Sequence, residues 1–521
     1  MTSLNTISHN FADDLQRAQQ QKEARRREYA NEQKIHVVGA GATITAAYEQ
    51  LRNAAEYTEE HVLLQRAIRR FYKRLFLLHE KSRIVNSGEE LLIELTHAGY
   101  VANDTIPEST VSQINELAAS YYKAYITLER KKGIAHRQVE EWTYELLAVE
   151  SEWLLHDMSH LQAFTQFSHT YFLQTLDFMR LLGSKPAELE TALYVAIHRA
   201  LLKSDMAAIR LGLLKRYQQQ PDYIDNYIHT NKQIDALINS SVTEKLFHIV
   251  DRRSAHLRVL RHMTDADPTL PGLLKNKEQF LTVFEKQVND DYETINKKVN
   301  KGIVRSVIFL VITKVIIGIS IEIPYDYLVA GMILWTPLLI NLLFPPLYMV
   351  LLRTTLVLPG QANTARLMTQ IEATLYEGEA KAQLSRRQSQ QFSAGYNIAY
   401  ALIFILVFGG IAWILWRYFQ FDIIHLAIFF TFLSGASFLG FRLSRMIREI
   451  ESIDSTQNGV TVVRDFLYMP FVVVGRYISD KYSKVNVVAL ALDMLIELPL
   501  KTILRLVRQW SAFISTKKDQ L

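Results

Sequence analysis

One charged side chain lies in an apolar part of the sequence, where its charge is costly. Lys314 stands near the centre of the run IVRSVIFLVITKVIIGISI at residues 303–321. An ammonium group at the centre of a membrane helix costs about 2.5–3.5 kcal/mol on insertion scales, so such a residue marks an ion path or a binding site by default. The candidate partners of Lys314 are Glu322, Asp326 and Asn341. The alternative is a lysine whose long side chain carries its charge to the membrane surface.

A second candidate feature is the set of prolines in the run WTPLLINLLFPPLYMVLL. Pro337, Pro345 and Pro346 each lack the backbone N–H that a helix uses. Helices interrupted in this way line binding sites in many transporters. Paired prolines also end one membrane helix and begin another at the membrane surface, and we favour this second interpretation.

The segment HDMSH places two histidines, His156 and His160, four residues apart. On one helix face this spacing can chelate a metal, as in the H-E-x-x-H signature of metalloproteases. Asp157 stands where that signature needs a glutamate, and Glu152 and His169 are the candidate further ligands. Because nothing fixes these side chains in space, a polar helix face is the ordinary interpretation. We expect no metal and no cofactor.

The remaining motifs argue against the common enzyme classes. The segment VGAGA at residues 38–42 resembles the start of a dinucleotide fingerprint, but Ile44 replaces the third glycine and no strand precedes it. P-loop, nucleophile-elbow and kinase signatures are absent from the sequence. The chain has no cysteine, which excludes disulfides and thiolate sites. The net charge of +5 is too small to indicate nucleic acid.

Four apolar runs dominate the second half of the chain. A bilayer core about 30 Å thick needs about 20 apolar residues in a helix, and a helix satisfies its own backbone groups in lipid. The sequence therefore predicts a multi-pass membrane protein. The predicted spans are residues 303–321, 327–352, 397–416 and 423–441. Two pairs of small residues in the last span suit close packing between helices: Thr431 with Gly435, and Ala436 with Gly440.

The residues before the first span are polar or show helical periodicity. We predict a polar basic tail over residues 1–36 and a cytoplasmic all-α domain over residues 37–270. Residues 271–302 carry a heptad-like apolar stripe and predict a stalk helix with coiled-coil character. The candidate partner of this stalk is the apolar face formed by Leu367, Ile371 and Leu375.

Basic residues in the short loops indicate the orientation. They cluster before the first span and after the fourth, whereas the loop between the first two spans holds acidic residues and no basic one. The positive-inside rule then places both termini in the cytoplasm. We expect the protein to lie in the inner membrane of the cell. The candidate contacts with anionic lipid are Lys297, Lys298, Lys301, Arg442, Arg445 and Arg448.

The tail over residues 442–521 is amphipathic. Its longest apolar stretch, residues 485–500, carries Asp493 and Glu497 and so fits the membrane interface better than the core. We therefore expect interfacial helices in this cytoplasmic tail. Further spans or a soluble helical hairpin are the alternatives for residues 461–514.

Two stretches carry a resemblance to a known group. They are NKKVNKGIVRSVIFLVITKVIIGISIEIPYDYL at residues 296–328 and INLLFPPLYMVLL at residues 340–352, with the short LPG and NT segments after them. Together they resemble an uncharacterised group of multi-pass membrane proteins from small-genome, candidate-phyla bacteria. The resemblance implies a bacterial inner-membrane protein and brings no activity or site residue with it.

The sequence thus predicts an all-α protein with a cytoplasmic helical domain, a stalk, four membrane helices and an interfacial tail. We expect a non-enzymatic scaffold whose cytoplasmic domain binds a protein partner at the membrane. The alternative is a transporter or channel that uses Lys314 and the proline-rich second span.

Overall fold

The structure, a computed structural model, describes residues 3–37, 46, 49, 60–183, 186–377, 394–452 and 459–483. These residues form helices and loops, and no strand is present among them. The predicted all-α class is therefore confirmed. Four of the described helices are long and apolar enough to cross a membrane: Lys277–Val329, Trp335–Thr355, Tyr400–Phe419 and Ile423–Arg448.

The chain divides into two compact units. Of the described residues, the first unit takes those within Met1–Asp251 and Thr264–Asn276. The second takes Arg252–Met263 and the described residues from Lys277 to 483. This division differs from the predicted domain over residues 37–270. The described residues of the predicted tail over 1–36 belong to the first unit, and the segment Arg252–Met263 belongs with the membrane helices.

The first unit is built from helices of moderate length joined by short loops. A π-helical turn, His198–Leu202, follows the helix Leu189–Ile197. The helices are α1 (Thr6–Glu28), α2 (Glu60–Leu77), α3 (Lys81–Val85), α4 (Ser87–His97), α5 (Glu108–Arg130), α6 (His136–Trp142), α7 (Tyr144–Leu155), α8 (Ser159–Thr175), α9 (Phe178–Leu182), α10 (Leu189–Ile197), α11 (Met206–Arg216), α12 (Ile224–Ile238) and α13 (Ser241–Arg253).

Aromatic side chains fill the core of the first unit. Phe76 is fully buried and lies edge-on to Tyr122, Tyr125 and Tyr144 at centroid distances of 5.2–5.9 Å. Such edge-to-face pairs add about 0.5–1.5 kcal/mol each beyond the burial of their area. The apolar stripe that the sequence shows on α2 is therefore the face that packs into this core.

Residues 136–182 form four helices, α6 to α9, and not one long helix. The backbone breaks at Thr143, whose φ of −126° and ψ of −95° are not helical. It breaks again after α7, where Asp157 Oδ1 accepts hydrogen bonds from the backbone N–H (3.1 Å) and hydroxyl (2.7 Å) of Ser159. Asp177 caps α9 in the same way. Short polar side chains that bond nearby backbone groups compete with the helix, which is why these breaks occur.

The second unit contains the membrane helices. Its first long helix runs 41 residues without a break and continues through a π-helical segment, Gly318–Glu322. A short helix, α15 (Leu270–Leu274), precedes it in the chain and belongs to the first unit. The other helices are α14 (Ala255–Ala266), α16 (Lys277–Ile317), α17 (Ile323–Val329), α18 (Trp335–Thr355), α19 (Gln361–Tyr376), α20 (Ala394–Phe419), α21 (Ile423–Arg448) and α22 (Gly459–Ser483).

The membrane helices present apolar side chains outward. Ile308, Ile312 and Ile316 on α16 are each more than half exposed, as are Leu343 and Leu347 on α18. In water such a surface would be unstable, whereas lipid solvates it. The exposed apolar stripes therefore fit helices embedded in a bilayer.

One of the two predicted pairs of small residues forms a close helix contact. A Cβ atom on Gly440 would collide with the Leu352 side chain of α18, and Ala436 is fully buried. Gly435 has open space beside it and Thr431 is exposed. Only the Ala436/Gly440 pair therefore brings two spans together.

The prolines of the second span do not end it. Pro345 and Pro346 lie inside α18, which continues to Thr355. The favoured interpretation of an interfacial break is therefore wrong. Because proline has no N–H, Pro345 cannot bond the backbone carbonyl four residues earlier, which is that of Asn341.

The predicted stalk is the first part of α16, and it packs on α19 as expected. Leu367, Ile371 and Leu375 are fully buried. The rings of Phe280 and Tyr376 lie 6.1 Å apart. Other predictions fall on residues outside the described ranges: the glycine segment at residues 39–41 and the apolar stretch at residues 485–500.

The helix α22 occupies a place that the sequence does not predict. A Cβ atom on Gly475 would collide with the backbone carbonyl of Ser434, in the middle of α21. The ring of Phe471 lies 4.7 Å from that of Phe408, in the middle of α20. The described part of α22 therefore packs against the middles of α20 and α21.

Candidate functional site

Five polar side chains meet inside the membrane part of the second unit and are called the buried cluster. They are at most 2% exposed to solvent. Because lipid offers no hydrogen bonds, such groups are tolerated only where they face one another. The buried cluster consists of Lys314, Glu322, Asp326, Asn341 and His425.

An ion pair forms the inner end of the buried cluster. Lys314 Nζ lies 2.5 Å from Glu322 Oε1. The same ammonium group lies 4.7 Å from the centre of the Phe432 ring, where a cation–π contact adds to its stabilisation. Lys314 therefore does not reach the membrane surface but is held in the interior by its partners.

The π-helical segment explains how Lys314 and Glu322 come to share a face. In a regular α-helix, residues eight apart differ by about 80° around the axis. A π-helical turn inserts one extra residue and rotates the rest of the helix back by about 100°, which leaves the two side chains about 20° apart. Without this segment, the two side chains would lie about 80° apart around the helix axis and would not share a face.

Asn341 joins the inner and outer parts of the buried cluster. Its Nδ2 atom lies 3.4 Å from Glu322 Oε1 and 3.3 Å from the backbone carbonyl oxygen of His425, and donates to both. The amide thus links three membrane helices. It lies one helical turn before Pro345, which has no N–H to offer the backbone carbonyl of Asn341.

His425 lies between two carboxylates at the outer end of the buried cluster. Its Nδ1 atom lies 2.9 Å from Asp422 Oδ1, and its Nε2 atom lies 3.2 Å from Asp326 Oδ1. Asp422 also caps α21, because the same Oδ1 atom accepts the backbone N–H groups of Ile424 and His425 at 3.1 Å. Asp326 is fixed by a second bond, which its Oδ2 atom accepts from the N–H of Leu334 at 3.0 Å.

Not every polar atom of the buried cluster has an aligned hydrogen bond. Glu322 Oε2 and Asn341 Oδ1 are buried without a hydrogen-bond partner among the described residues. Asp326 Oδ1 and His425 Nε2 are at ion-pair distance but not aligned as a hydrogen bond. A buried polar atom left without a partner costs about 1–3 kcal/mol.

The predicted candidates largely meet in this site. Of the three candidate partners, Glu322 contacts Lys314 directly, Asn341 contacts Glu322, and Asp326 belongs to the same cluster through His425. Sequence reasoning does not single out His425 and Asp422. The signal was available for His425, because it is an ionisable residue inside an apolar run, as Lys314 is.

The basic residues at the ends of the spans are exposed, as contacts with lipid headgroups require. Lys297 forms an ion pair with Glu293 at 2.6 Å. The others lie outside the buried cluster: Lys298, Lys301, Arg442, Arg445 and Arg448. Binding of anionic lipid by this set stays a prediction.

The two histidines considered as metal ligands do not share a helix face. His156 follows the end of α7, and His160 lies in the first turn of α8. His160 instead faces Asp265, with Nε2 and Oδ1 3.4 Å apart. Within the described ranges, no group of three or more histidine, aspartate or glutamate side chains is placed to hold a metal ion.

Comparisons with protein-family models, curated proteins and solved structures find no match to this chain. The class of protein therefore follows from its own residues: an all-α protein whose described part holds four helices suited to a membrane and an ionisable cluster buried among them.

Proposed function

We propose that the protein moves ions across the membrane, as a transporter or channel, and that the buried cluster is its ionisable site. The observation that carries the proposal is the burial of Lys314, Glu322, Asp326, Asn341 and His425 among membrane helices. Intramembrane ionisable residues mark ion paths and proton relays.

Stability alone is a poor explanation of such a cluster. Removing a charge pair from water costs several kcal/mol per ion, and apolar residues of similar volume are often equally stabilising or better. A membrane bundle that needed only stability would hold leucine and isoleucine at these positions. This argument reverses the order expected from the sequence, which placed a scaffold first.

The test is flux through the purified full-length chain in liposomes, with dyes for protons, sodium, potassium and chloride. Glu322→Gln should lower the flux of the transported ion at least tenfold, because it removes the charge that Lys314 faces. The matched control is Lys286→Leu, which changes an exposed lysine on the same helix, α16, and should leave flux unchanged. Equal flux through Glu322→Gln and the wild type would contradict the proposal.

A scaffold that binds a protein partner is the second candidate, and a groove in the first unit favours it. The groove has a volume of about 650 Å³, within the range of ligand pockets. Its charged lining holds more acidic than basic side chains, which suits a basic segment of a partner. These charged residues are Arg25, Glu116, Glu150, Asp157, Lys215 and Asp222.

Charge reversal in this groove separates the two candidates. Under the scaffold proposal, Glu116→Lys with Asp222→Lys abolishes recovery of crosslinked partners from membranes, and ion flux is unchanged. Glu285→Lys, an exposed reversal on α16, is the control. Unchanged partner recovery in the double variant would remove the groove from consideration.

A further inference from the structure

Every ion pair in the buried cluster and at Asp422 joins groups that can hold or release a proton. From this chemistry we infer that the ion handled by the protein is the proton, an inference that rests on the proposed ion transport. Lys314 occupies the place beside Glu322, and His425 occupies the place between Asp326 and Asp422. A protonatable side chain thus stands at each position where a metal cation would otherwise neutralise these carboxylates.

The first transfer is between Lys314 and Glu322. The ammonium group gives its proton to the carboxylate across 2.5 Å, which leaves an amine and a carboxylic acid, both neutral. Burial destabilises both charged forms, so the neutral pair is accessible in the bundle interior. Rotation of the neutral carboxyl group then carries the protonated Oε1 atom away from Lys314 to the place of the unpartnered Oε2 atom, from which the proton is released onward.

The next transfers lead toward Asp422. Asp326 lies one helical turn beyond Glu322, a separation of about 5–6 Å between Cβ atoms that one water molecule or a rotamer change bridges. From Asp326 the proton passes to His425 Nε2, which lies 3.2 Å away, once a small rotation of the carboxyl group aligns the two atoms as a hydrogen bond. His425 then releases its other ring proton from Nδ1 to Asp422 over 2.9 Å. Imidazole suits this step because it can accept on one nitrogen and donate from the other.

Asp422 is the outlet of this path. Its side chain is 37% exposed, in contrast to the fully buried His425 beside it. It stands at the start of α21, at the opposite end from the basic residues near Arg448. The path thus connects the middle of the bundle with the surface that the positive-inside rule assigns to the non-cytoplasmic side.

The charge balance favours a cation over an anion. Three carboxylates, those of Glu322, Asp326 and Asp422, face one ammonium group and one imidazole. Even with the imidazole charged, one negative charge remains in excess. An anion would be repelled by this set, whereas a proton neutralises it.

Asp422→Asn is the sharpest test of the proton path. Asparagine keeps the helix cap but cannot carry a proton. In liposomes holding a pH-sensitive dye, with a membrane potential imposed by potassium and valinomycin, we expect wild-type protein to acidify the lumen. Asp422→Asn should slow this acidification about tenfold at an unchanged melting temperature, Asp422→Glu should restore it, and Lys286→Leu should match the wild type.

The outcomes separate the two proposals. Sodium, potassium or chloride flux without acidification would overturn the proton inference and leave ion transport standing. The absence of any ion flux would overturn both. Full acidification through Asp422→Asn would exclude Asp422 as the outlet and overturn the path.

A different observation carries a second inference, which concerns the topology of α22. Gly475 contacts Ser434 of α21, and Phe471 contacts Phe408 of α20. Ser434 lies 11 residues after Ile423, which is about 16 Å along a helix and near mid-membrane. We propose that α22 is a fifth membrane-embedded helix. Because it begins at Gly459, 11 residues after α21 ends at Arg448, it enters from that end of α21, and its own end at Ser483 lies on the same side as Asp422.

The length and charges of α22 fit this placement. From Gly475 to Ser483 the helix rises about 12 Å, enough to approach the far surface of a 30 Å core from its middle. Arg476 and Asp480 pair at 3.6 Å, which lowers the cost of carrying both in the outer half. Long basic side chains can also extend toward the surface.

Single cysteines test the placement, since the native chain has none. Lys481→Cys should react with a membrane-impermeant thiol reagent from the same side as Leu328→Cys, and Thr369→Cys should react only from the opposite side. Reaction of Lys481→Cys from the side of Thr369→Cys would mean that α22 does not cross, and would overturn the inference.

Discussion

The two units place the same residue types in opposite positions, because water surrounds the first unit and lipid surrounds the membrane part of the second. In the first unit, ion pairs such as Arg137–Glu141 lie at the surface, with the arginine 83% exposed, and aromatic rings fill the interior. In the membrane part of the second unit, isoleucines face outward, and the Lys314–Glu322 pair is at most 2% exposed. Water solvates charge on the first surface and lipid solvates hydrocarbon on the second. Because neither water nor lipid solvates a charge buried in the membrane part, the presence of such a charge calls for a function.

Removal of one buried charge should cause the largest loss of stability. It therefore tests the difference between the two units most strongly. Lys314→Leu leaves the Glu322 carboxylate buried without its partner, which costs about 3–5 kcal/mol. We expect a marked fall in melting temperature in detergent. If the variant melted with the wild type, the pair would be solvated and the two units would not differ as described.

The second largest change in stability should appear when the pH is raised, because of Glu152 in the first unit. Burial of Glu152, with a smaller contribution from Asp205, raises the pKa of its carboxyl group to about 8. The folded state therefore binds this proton more tightly than the unfolded chain, so stability is fully present at low pH and falls as the pH rises from about 4.5 toward 8. The expected loss between pH 5 and 7.5 is about 3 kcal/mol.

Hydrogen exchange of peptides from α7 in the full chain measures this loss. Glu152→Gln should remove the pH dependence, because the amide does not titrate, while the exposed Glu89→Gln should keep it. A wild-type protein with flat protection between pH 5 and 7.5 would show that Glu152 is not buried as described.

Helix contacts in the second unit should give effects of intermediate size. Gly440→Ala forces a Cβ atom against Leu352, and overpacking of this kind costs about 1–3 kcal/mol. Gly435→Ala, five residues earlier on the same span, meets nothing within 4 Å and should be neutral or slightly stabilising. Equal melting temperatures for the two variants would contradict the assigned packing face of α21.

A surface ion pair should give the smallest effect. Arg137→Ala removes the exposed partner of Glu141, which also pairs with Arg210, and surface pairs of this kind contribute about 0.2–1 kcal/mol. High salt should reduce the effect further. A loss as large as that of Lys314→Leu would show that exposure does not govern the strength of these pairs.

Sequence reasoning finds what depends on length and composition. The four apolar runs, the all-α class and the isolated charge of Lys314 are visible without coordinates because a bilayer imposes strict rules on them. The stripe on α19 is visible for a related reason, since its period is that of a helix.

Other features depend on tertiary contacts. The pairing of Lys314 with Glu322 needs the π-helical segment, which has no clear sequence signal. The continuity of α18 through Pro345 and Pro346 overrides the usual effect of paired prolines. The packing of α22 against α20 and α21 has no clear sequence signal either, and it is visible only in the contacts of Phe471 and Gly475.

The central claim is that the buried cluster is present for ion movement and not for stability. The most direct measurement is the proton flux and melting temperature of the double variant Lys314→Leu/Glu322→Leu. This variant removes both charges, so neither is left buried without its partner. Apolar replacement of a buried pair is often neutral or stabilising, so we predict a melting temperature at or above that of the wild type, with flux lowered at least tenfold. Wild-type flux in a stably folded double variant would contradict the claim.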